Sequence, residues 1–308
     1  MPLKNNASVE SESLRLAPEP APDAVTRATV EASIAAFGET RDTRFFFPGE
    51  QAGQVVEALV QLVTGGDMGL GLVIGEPGCG KTLLRSELHR RLNELDCVCV
   101  TLENGWLDFD ETLLELLSQL EGRRVQSAEY PGRYDRLAAV KQSLLERVVG
   151  AGRHLALLVD EAQQLDDATL EGIRSLTNIS AERQNFMTPI LFGHTSLADR
   201  VETSPALASR VRMNHRLRPL SESGTAAYVR HRVAVSTGAG EGPFTSDALR
   251  VLHRETGGMP RIINQRCKTT LETALERRLA VVDRGFFEEE PEKADSCRSW
   301  PDSCLLSG

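Results

Sequence analysis

The sequence of 308 residues lacks any apolar run long enough to cross a lipid bilayer. A transmembrane helix needs roughly 18 or more consecutive apolar residues, and here polar or charged residues interrupt every apolar run much earlier. The first residues, Met1–Pro20, also lack the apolar segment of a secretory signal peptide. These two absences predict a cytoplasmic protein without a transmembrane segment.

Cysteine pairs and an excess of positive charge are missing as well. Zinc sites need CxxC-like pairs, and disulfide frameworks occur in small secreted chains. Cys97 and Cys99 alternate along an apolar run, which predicts that both lie on one face of a buried strand. The net charge of −9 disfavours a positively charged surface that binds nucleic-acid phosphates, although a local basic patch could still exist. The six cysteines are Cys79, Cys97, Cys99, Cys267, Cys297 and Cys304.

Composition and periodicity divide the chain into four parts. Residues 1–28 have no hydrophobic period and predict a flexible N-terminal arm. Residues 29–219 alternate short apolar runs with helical segments, which predicts a parallel sheet with helices on both faces. Residues 220–287 show helical periodicity alone and predict a small helical domain. Residues 288–308 read as an acidic C-terminal tail.

Five strands and nine helices are predicted between the two tails. The strands are Leu70–Ile74, Cys97–Leu102, His154–Val159, Pro189–Phe192 and Met213–Leu217. The helices are Gln54–Val63, Leu83–Leu95, Glu111–Leu120, Arg136–Val149, Asp167–Ile179, Leu197–Val201, Ser223–Thr237, Ser246–Thr256 and Pro260–Leu279.

The strongest motif is Gly75-Glu76-Pro77-Gly78-Cys79-Gly80-Lys81-Thr82, which fits the phosphate-binding pattern G-x-x-x-x-G-K-[ST] in full. It lies between a predicted strand and a predicted helix, as the mechanism of such a loop requires. Backbone N–H groups of the loop surround phosphate oxygens, and the helix N-terminus adds its positive dipole end. We expect Lys81 to contact the β- and γ-phosphates of ATP and the Thr82 hydroxyl to ligate Mg²⁺. Leu83, directly after the motif, completes the predicted nucleotide contact.

A second motif consists of two acids at the end of the apolar run Leu155–Val159. Ligands of open α/β sheets bind at the carboxyl edge of the strands. We therefore expect Asp160 to hold Mg²⁺, directly or through water, and Glu161 to orient and deprotonate the attacking water. The alternative is a solvated strand end, which is common when such a pair stands alone.

Two further candidates are single residues. His194 follows a predicted strand and could sense the γ-phosphate or position water; otherwise it is a surface histidine. Arg261 follows Pro260, which suits the first turn of a helix, and would project from that helix start toward the nucleotide. Its alternative is a solvated arginine.

An arginine-rich stretch admits three interpretations. It could be a solvated basic face, a groove for nucleic-acid phosphates, or the source of an arginine that a neighbouring subunit's ATP requires. Its members are Arg210, Arg212, Arg216, Arg218, Arg230 and Arg232.

Taken in order along the chain, these motifs resemble those of AAA+ ATPases. More narrowly, the chain is similar to the ATPase domain of the general secretion pathway A (ExeA-like) and mannose-sensitive pilus biogenesis M group, which is akin to transposition ATPases of the TniB and MuB kind. The likeness runs from about Phe45 to Phe287. Besides the phosphate loop, it rests on Val159-Asp160-Glu161-Ala162-Gln163, Phe192-Gly193-His194, Leu207-Ala208-Ser209-Arg210 and Gly258-Met259-Pro260-Arg261-Ile262-Ile263-Asn264.

The resemblance implies an α/β P-loop NTPase fold of the AAA+ type, with a parallel five-stranded sheet in the AAA+ order and a helical lid after Pro219. It implies ATP and Mg²⁺ as ligands and an ATP-dependent homo-oligomer with active sites at subunit interfaces. The implied roles are Walker A for Gly75–Thr82, Walker B for Asp160 and Glu161, sensor 1 for His194, arginine finger for Arg210 and sensor 2 for Arg261.

Several functions remain open at this point. The favoured one couples ATP turnover to assembly or remodelling of a bacterial secretion, pilus or envelope partner, which could recruit the protein to the inner membrane. A transposition helper that binds DNA and a transposase is the second. A slow nucleotide-gated switch or scaffold is the third. A small-molecule kinase is disfavoured by the lid signature and by Glu161.

Overall fold

The computed structural model describes residues 27–65, 69–103, 105–178, 180–181, 184–238 and 242–288. The predicted arm therefore lies outside the described residues except at 27–28, and the predicted tail except at 288. Ile179, the predicted end of one helix, also lies outside them.

Five parallel strands form the central sheet: β1 (Leu70–Gly75), β2 (Val98–Leu102), β3 (Leu155–Val159), β6 (Met187–Gly193) and β7 (Val211–Leu217). A small antiparallel hairpin, β4 (Ser180–Ala181) and β5 (Gln184–Asn185), precedes β6. The order in the sheet is β2-β3-β6-β1-β7. All five predicted strands and the parallel sheet are thus confirmed, with bounds that differ by one or two residues.

The α-helices of the described residues are α1 (Arg27–Ala36), α2 (Ala52–Thr64), α3 (Lys81–Glu94), α4 (Phe109–Glu121), α5 (Arg133–Leu144), α6 (Asp167–Leu176), α7 (Thr195–Thr203), α8 (Pro205–Ala208), α9 (Glu222–Thr237), α10 (Ser246–Thr256), α11 (Pro260–Glu276) and α12 (Arg284–Glu288). The predicted helix 136–149 is α5 followed by one π-helical turn, Leu145–Val149. The last long helix ends at Glu276 rather than at Leu279, because Arg278 takes a left-handed conformation (φ 60°) that a helix cannot continue.

The sheet has a hydrophobic core on each face. On one face Leu72 and Leu157 pack with α4–α8; on the other Val73 and Leu158 pack with α2 and α3. Because both faces are covered, the central strands are apolar at consecutive positions rather than at alternating ones. Cys97 and Cys99 both contact the α2–α3 side, as their spacing predicts.

Helices α9 to α12 share a separate core, and α1 belongs to it. Val30 and Phe37 are buried among residues of α9 and α10 such as Val229 and Leu252. The buried Arg232 of α9 donates hydrogen bonds to the carbonyl oxygens of Ala36 (2.6 Å) and Gly38 (3.2 Å). Residues 29–36, assigned from sequence to the α/β domain, therefore pack on the helical part. The domain boundaries themselves stay predictions.

In the described part of the chain, no helix combines the length and the apolar character needed to cross a membrane.

Candidate functional site

The phosphate-binding motif forms the loop between β1 and α3. Gly78 (φ 87°) and Gly80 (φ 100°) adopt left-handed conformations that side chains would strain. Lys81 is 7% exposed, and its Nζ donates to the carbonyl oxygens of Gly75 (2.8 Å) and Glu76 (3.2 Å). The ammonium group is therefore held by the loop itself, where it can meet an incoming phosphate.

The two acids follow β3 directly. The N–H of Asp160 donates to the carbonyl oxygen of Leu102 (2.8 Å), which extends the strand ladder to the buried Asp160. Glu161 then turns into the left-handed region (φ 49°), a conformation that costs a residue with a side chain about 1–3 kcal/mol. The register pairs Val159 with Leu191, so the acids lie at the same edge as the end of β6.

A chain of hydrogen bonds joins the acids to the phosphate loop. The Gln163 amide Nε2 donates to Oε2 of Glu161 (2.6 Å), and its Oε1 accepts from the backbone N–H of His194 (3.0 Å). Nε2 of His194 lies 3.0 Å from Oε2 of Glu76, with the donor set by the tautomer. Gln163 has no role predicted from the sequence, and the structure shows that its side chain contacts both Glu161 and His194.

Arg261 reaches the same loop from the helical part. Its backbone N–H donates to the carbonyl oxygen of Gly78 (3.1 Å). A Cβ on Gly78 would lie only 2.7 Å from the Cβ of Arg261, so a glycine is needed for this approach. The start of α11 is thereby fixed to the phosphate loop.

Arg210 lies at the amino ends of the strands, whereas the phosphate loop lies at their carboxyl ends. Its carbonyl oxygen accepts from the N–H of Leu70 (2.8 Å), the first residue of β1, whereas the phosphate loop follows Gly75 at the end of β1. Its Nη2 donates to Oδ1 of Asn178 (2.8 Å). The structure thus brings together Lys81, Asp160, Glu161, His194 and Arg261, but not Arg210.

An apolar cleft beside the loop was missed from the sequence. It is lined by residues 46–52, Leu83, Leu217, Leu220 and Tyr228 among others. No local motif could reveal it, because several segments that are distant in the sequence assemble it. Cys79 also lines the cleft, and burial raises the pKa of its thiol, which disfavours a nucleophilic thiolate.

The oxygen donors near the loop suit Mg²⁺ that is bound together with substrate phosphates. They do not suit a metal ion that is bound by protein ligands alone. Among the described residues no group of three or more His, Cys, Asp or Glu side chains converges on one point. Mg²⁺ usually binds through one or two carboxylates together with substrate phosphates. The Thr82 hydroxyl and the Asp160 carboxylate are hard oxygen donors of that kind.

Comparison with known proteins agrees with this geometry. Residues 65–201 match a family model described as an AAA domain. The sequence is 32% identical to General secretion pathway protein A of Aeromonas hydrophila over 251 residues, which are 78% of this chain and 43% of that protein. The chain therefore spans less than half the length of this relative.

Solved structures share the fold at low sequence identity. Cdc6p from Pyrobaculum aerophilum superposes with a TM-score of 0.61 at 16% identity, covering 80% of this chain and 67% of that chain. The ORC2 protein of Aeropyrum pernix gives a TM-score of 0.62 at 15% identity, covering 82% and 70%. The predicted AAA+ fold is confirmed.

Proposed function

Because residues 65–201 form an AAA domain in a chain that resembles General secretion pathway protein A, we propose that this protein is a Mg²⁺-dependent ATPase. Its ATP turnover drives assembly or remodelling of a partner in a bacterial secretion, pilus or envelope system. The proposal rests on one observation: Lys81, Asp160, Glu161 and His194 follow three neighbouring strands at one edge of the sheet.

Each of these residues has a role that its position supports. Lys81 contacts the terminal phosphates, and Thr82 and Asp160 hold Mg²⁺. Mg²⁺, when bound, neutralises charge on the phosphate oxygens. Glu161 accepts the proton of the attacking water, with its carboxylate oriented by Gln163. His194, 3.0 Å from Glu76 of the loop, responds to the terminal phosphate.

The helical part supports a role beyond simple binding. Arg261 is joined to Gly78 through the backbone, so a change in the phosphate loop moves the start of α11. Conformational change tied to nucleotide state is how ATP energy reaches a partner. The partner is a protein of the secretion, pilus or envelope class, and the working form is a homo-oligomer in which Arg210 serves the next subunit.

Replacing Lys81 with alanine tests nucleotide binding. Loss of a charge-assisted contact should weaken ATP binding about tenfold or more, or roughly 1.5–3 kcal/mol. Titration with a fluorescent ATP analogue measures the change. Lys141→Ala, an exposed lysine on α5, is the matched control and should bind as the wild type does. Equal affinities for both variants would refute the phosphate-loop assignment.

The DNA-binding alternative has one observation in its favour. Arg212 and Arg216 are exposed on the edge strand β7, and neither they nor Arg218 forms an ion pair with a carboxylate of the described residues. Arginines on an edge strand that have no carboxylate partner could bind phosphates, whereas the net charge of −9 opposes this.

A mobility-shift assay with a non-hydrolysable ATP analogue, at low and moderate salt, decides between the proposed function and the DNA-binding alternative. We expect weak or no binding of duplex DNA. Tight, ATP-dependent binding that falls steeply with salt, and that Arg212→Ala with Arg216→Ala abolishes, would make the transposition-helper function the better one.

A further inference from the structure

Arg85 is a buried arginine in the second turn of the helix that starts at Lys81. Its side chain is only 5% exposed, and its Nε lies 3.1 Å from Oδ2 of Asp160, whose side chain is 7% exposed. Its Nη2 donates to Oε1 of Glu103 at 3.3 Å. One guanidinium thus stands between two carboxylates, and neither the phosphate-loop motif nor the Asp-Glu motif includes it.

The contact with Asp160 has the charge of an ion pair without the geometry of a good one. The Nε–H is not directed at Oδ2, so this buried donor has no hydrogen-bond acceptor among the described residues. Strong arginine–carboxylate pairs are usually bidentate, with two parallel N–H···O bonds. An ion pair built only for stability would be expected to have that geometry, because an unsatisfied buried donor is costly.

In the proposed function, Mg²⁺ binds the same carboxylate that Arg85 contacts, that of Asp160. Asp160 is the acid that the proposed function assigns to Mg²⁺, and a second cation beside the metal would repel it. Without Mg²⁺, however, the buried Asp160 would be left without an ion-pair partner among the described residues if Arg85 were absent. The two cations are therefore expected to alternate rather than to act together.

Glu103 provides a second acceptor for the same guanidinium. It is half-exposed and already accepts from Nη1 of Arg41 (2.6 Å). That hydrogen bond holds the pKa of Glu103 below its ordinary value. The carboxylate consequently stays charged and can receive Arg85 when Arg85 leaves Asp160.

We propose that Arg85 is a positioning residue that holds Asp160 in the metal-free protein and shifts to Glu103 when Mg²⁺ binds. The inference rests on the proposed function, since it needs Asp160 to serve Mg²⁺. Arg85 then sets how tightly Mg²⁺ binds, because the metal must displace it. Glu103 lowers the free energy of that displacement by accepting the guanidinium.

The test compares Arg85→Gln, Arg85→Lys and Glu103→Gln in two measurements without turnover. The first is the Tm of the metal-free protein in EDTA. The second is a Mg²⁺ titration of the binding of a fluorescent, non-hydrolysable ATP analogue. Arg85→Gln should lower the metal-free Tm by roughly 5 °C or more, because the buried Asp160 loses its ion-pair partner, and should tighten apparent Mg²⁺ affinity roughly fivefold or more.

The other two variants distinguish the proposed shift of Arg85 from a purely structural ion pair. Glu103→Gln should weaken apparent Mg²⁺ affinity, because Arg85 then remains on Asp160. Arg85→Lys keeps the charge and should stay near the wild type in both measurements. Opposite changes in Mg²⁺ affinity for Arg85→Gln and Glu103→Gln support the inference, and a purely structural ion pair would not produce them.

Mg²⁺ affinity that is unchanged or weaker in Arg85→Gln would overturn the inference. If that variant does not fold, an unchanged or tighter Mg²⁺ affinity in Glu103→Gln overturns it instead. Failure of the proposed function is a separate result, seen in the wild type alone: analogue binding that does not depend on Mg²⁺ would remove the metal role of Asp160 before any variant is compared.

Discussion

A protein that holds ATP without hydrolysing it is the expected result of Glu161→Gln. Glutamine keeps the size of the side chain but cannot accept a proton, and loss of a general base typically costs 10²–10⁴-fold in rate. We therefore expect turnover to fall roughly 100-fold or more. ATP affinity should stay within a few-fold of the wild type, because Lys81 and the loop glycines are untouched.

The surroundings of Glu161 allow a glutamine at this position without a change in the local contacts or the backbone. Gln163 donates to Oε2 of Glu161 at 2.6 Å, and a glutamine at position 161 can keep that contact through its carbonyl oxygen. The left-handed backbone at this position (φ 49°) is equally accessible to both residues. The binding geometry should therefore survive while the chemistry is lost.

Steady-state hydrolysis and equilibrium binding of a fluorescent ATP analogue, measured on the same preparation, separate the two effects. Glu202→Gln is the matched control, since Glu202 is an exposed glutamate on α7 and should behave as the wild type. Unchanged hydrolysis in Glu161→Gln would show that another group takes the proton. A loss of affinity equal to the loss of turnover would assign Glu161 to binding instead.

Local sequence signals were sufficient for the sheet and for most of the site. The strand Leu155–Val159 is apolar at consecutive positions because both faces of the sheet are covered, and that run marks β3 in the sequence. The phosphate loop is equally local, since its glycines and Lys81 lie within eight consecutive positions. Parallel strands then bring Asp160 and His194 to one edge without further information.

Contacts between distant segments were not predictable in this way. The pairing of Arg85 with Asp160, and of Arg232 with the carbonyl oxygens of Ala36 and Gly38, depends on how separate elements pack. Each of these arginines looks in the sequence like any solvated arginine on a helix. Helix α1 is not among the predicted helices, and its docking on the helical part was not predictable either, because the apolar residues Val30 and Phe37 do not show what covers them.

Arg210 lies where it cannot serve its own phosphate loop. It precedes β7 at the amino edge of the sheet, whereas the loop follows the carboxyl end of β1. β7 is also an edge strand, so the segment that leads into it borders the periphery of the α/β domain. An arginine in this place can act on a nucleotide only if that nucleotide belongs to another subunit.

Replacing Arg210 with alanine should therefore leave ATP binding nearly normal and lower turnover by roughly 10³-fold or more, the usual effect of losing a trans arginine that stabilises the transferring phosphoryl group. Arg212→Ala, two positions along and exposed, is the matched control and should retain turnover.

Mixing Arg210→Ala with Lys81→Ala should restore part of the activity, because each subunit supplies what the other lacks at one interface. Wild-type specific activity should also rise with protein concentration. Turnover that is independent of concentration, with no rescue on mixing, would identify the arginine stretch as a solvated face or a partner site and the protein as a monomeric P-loop ATPase.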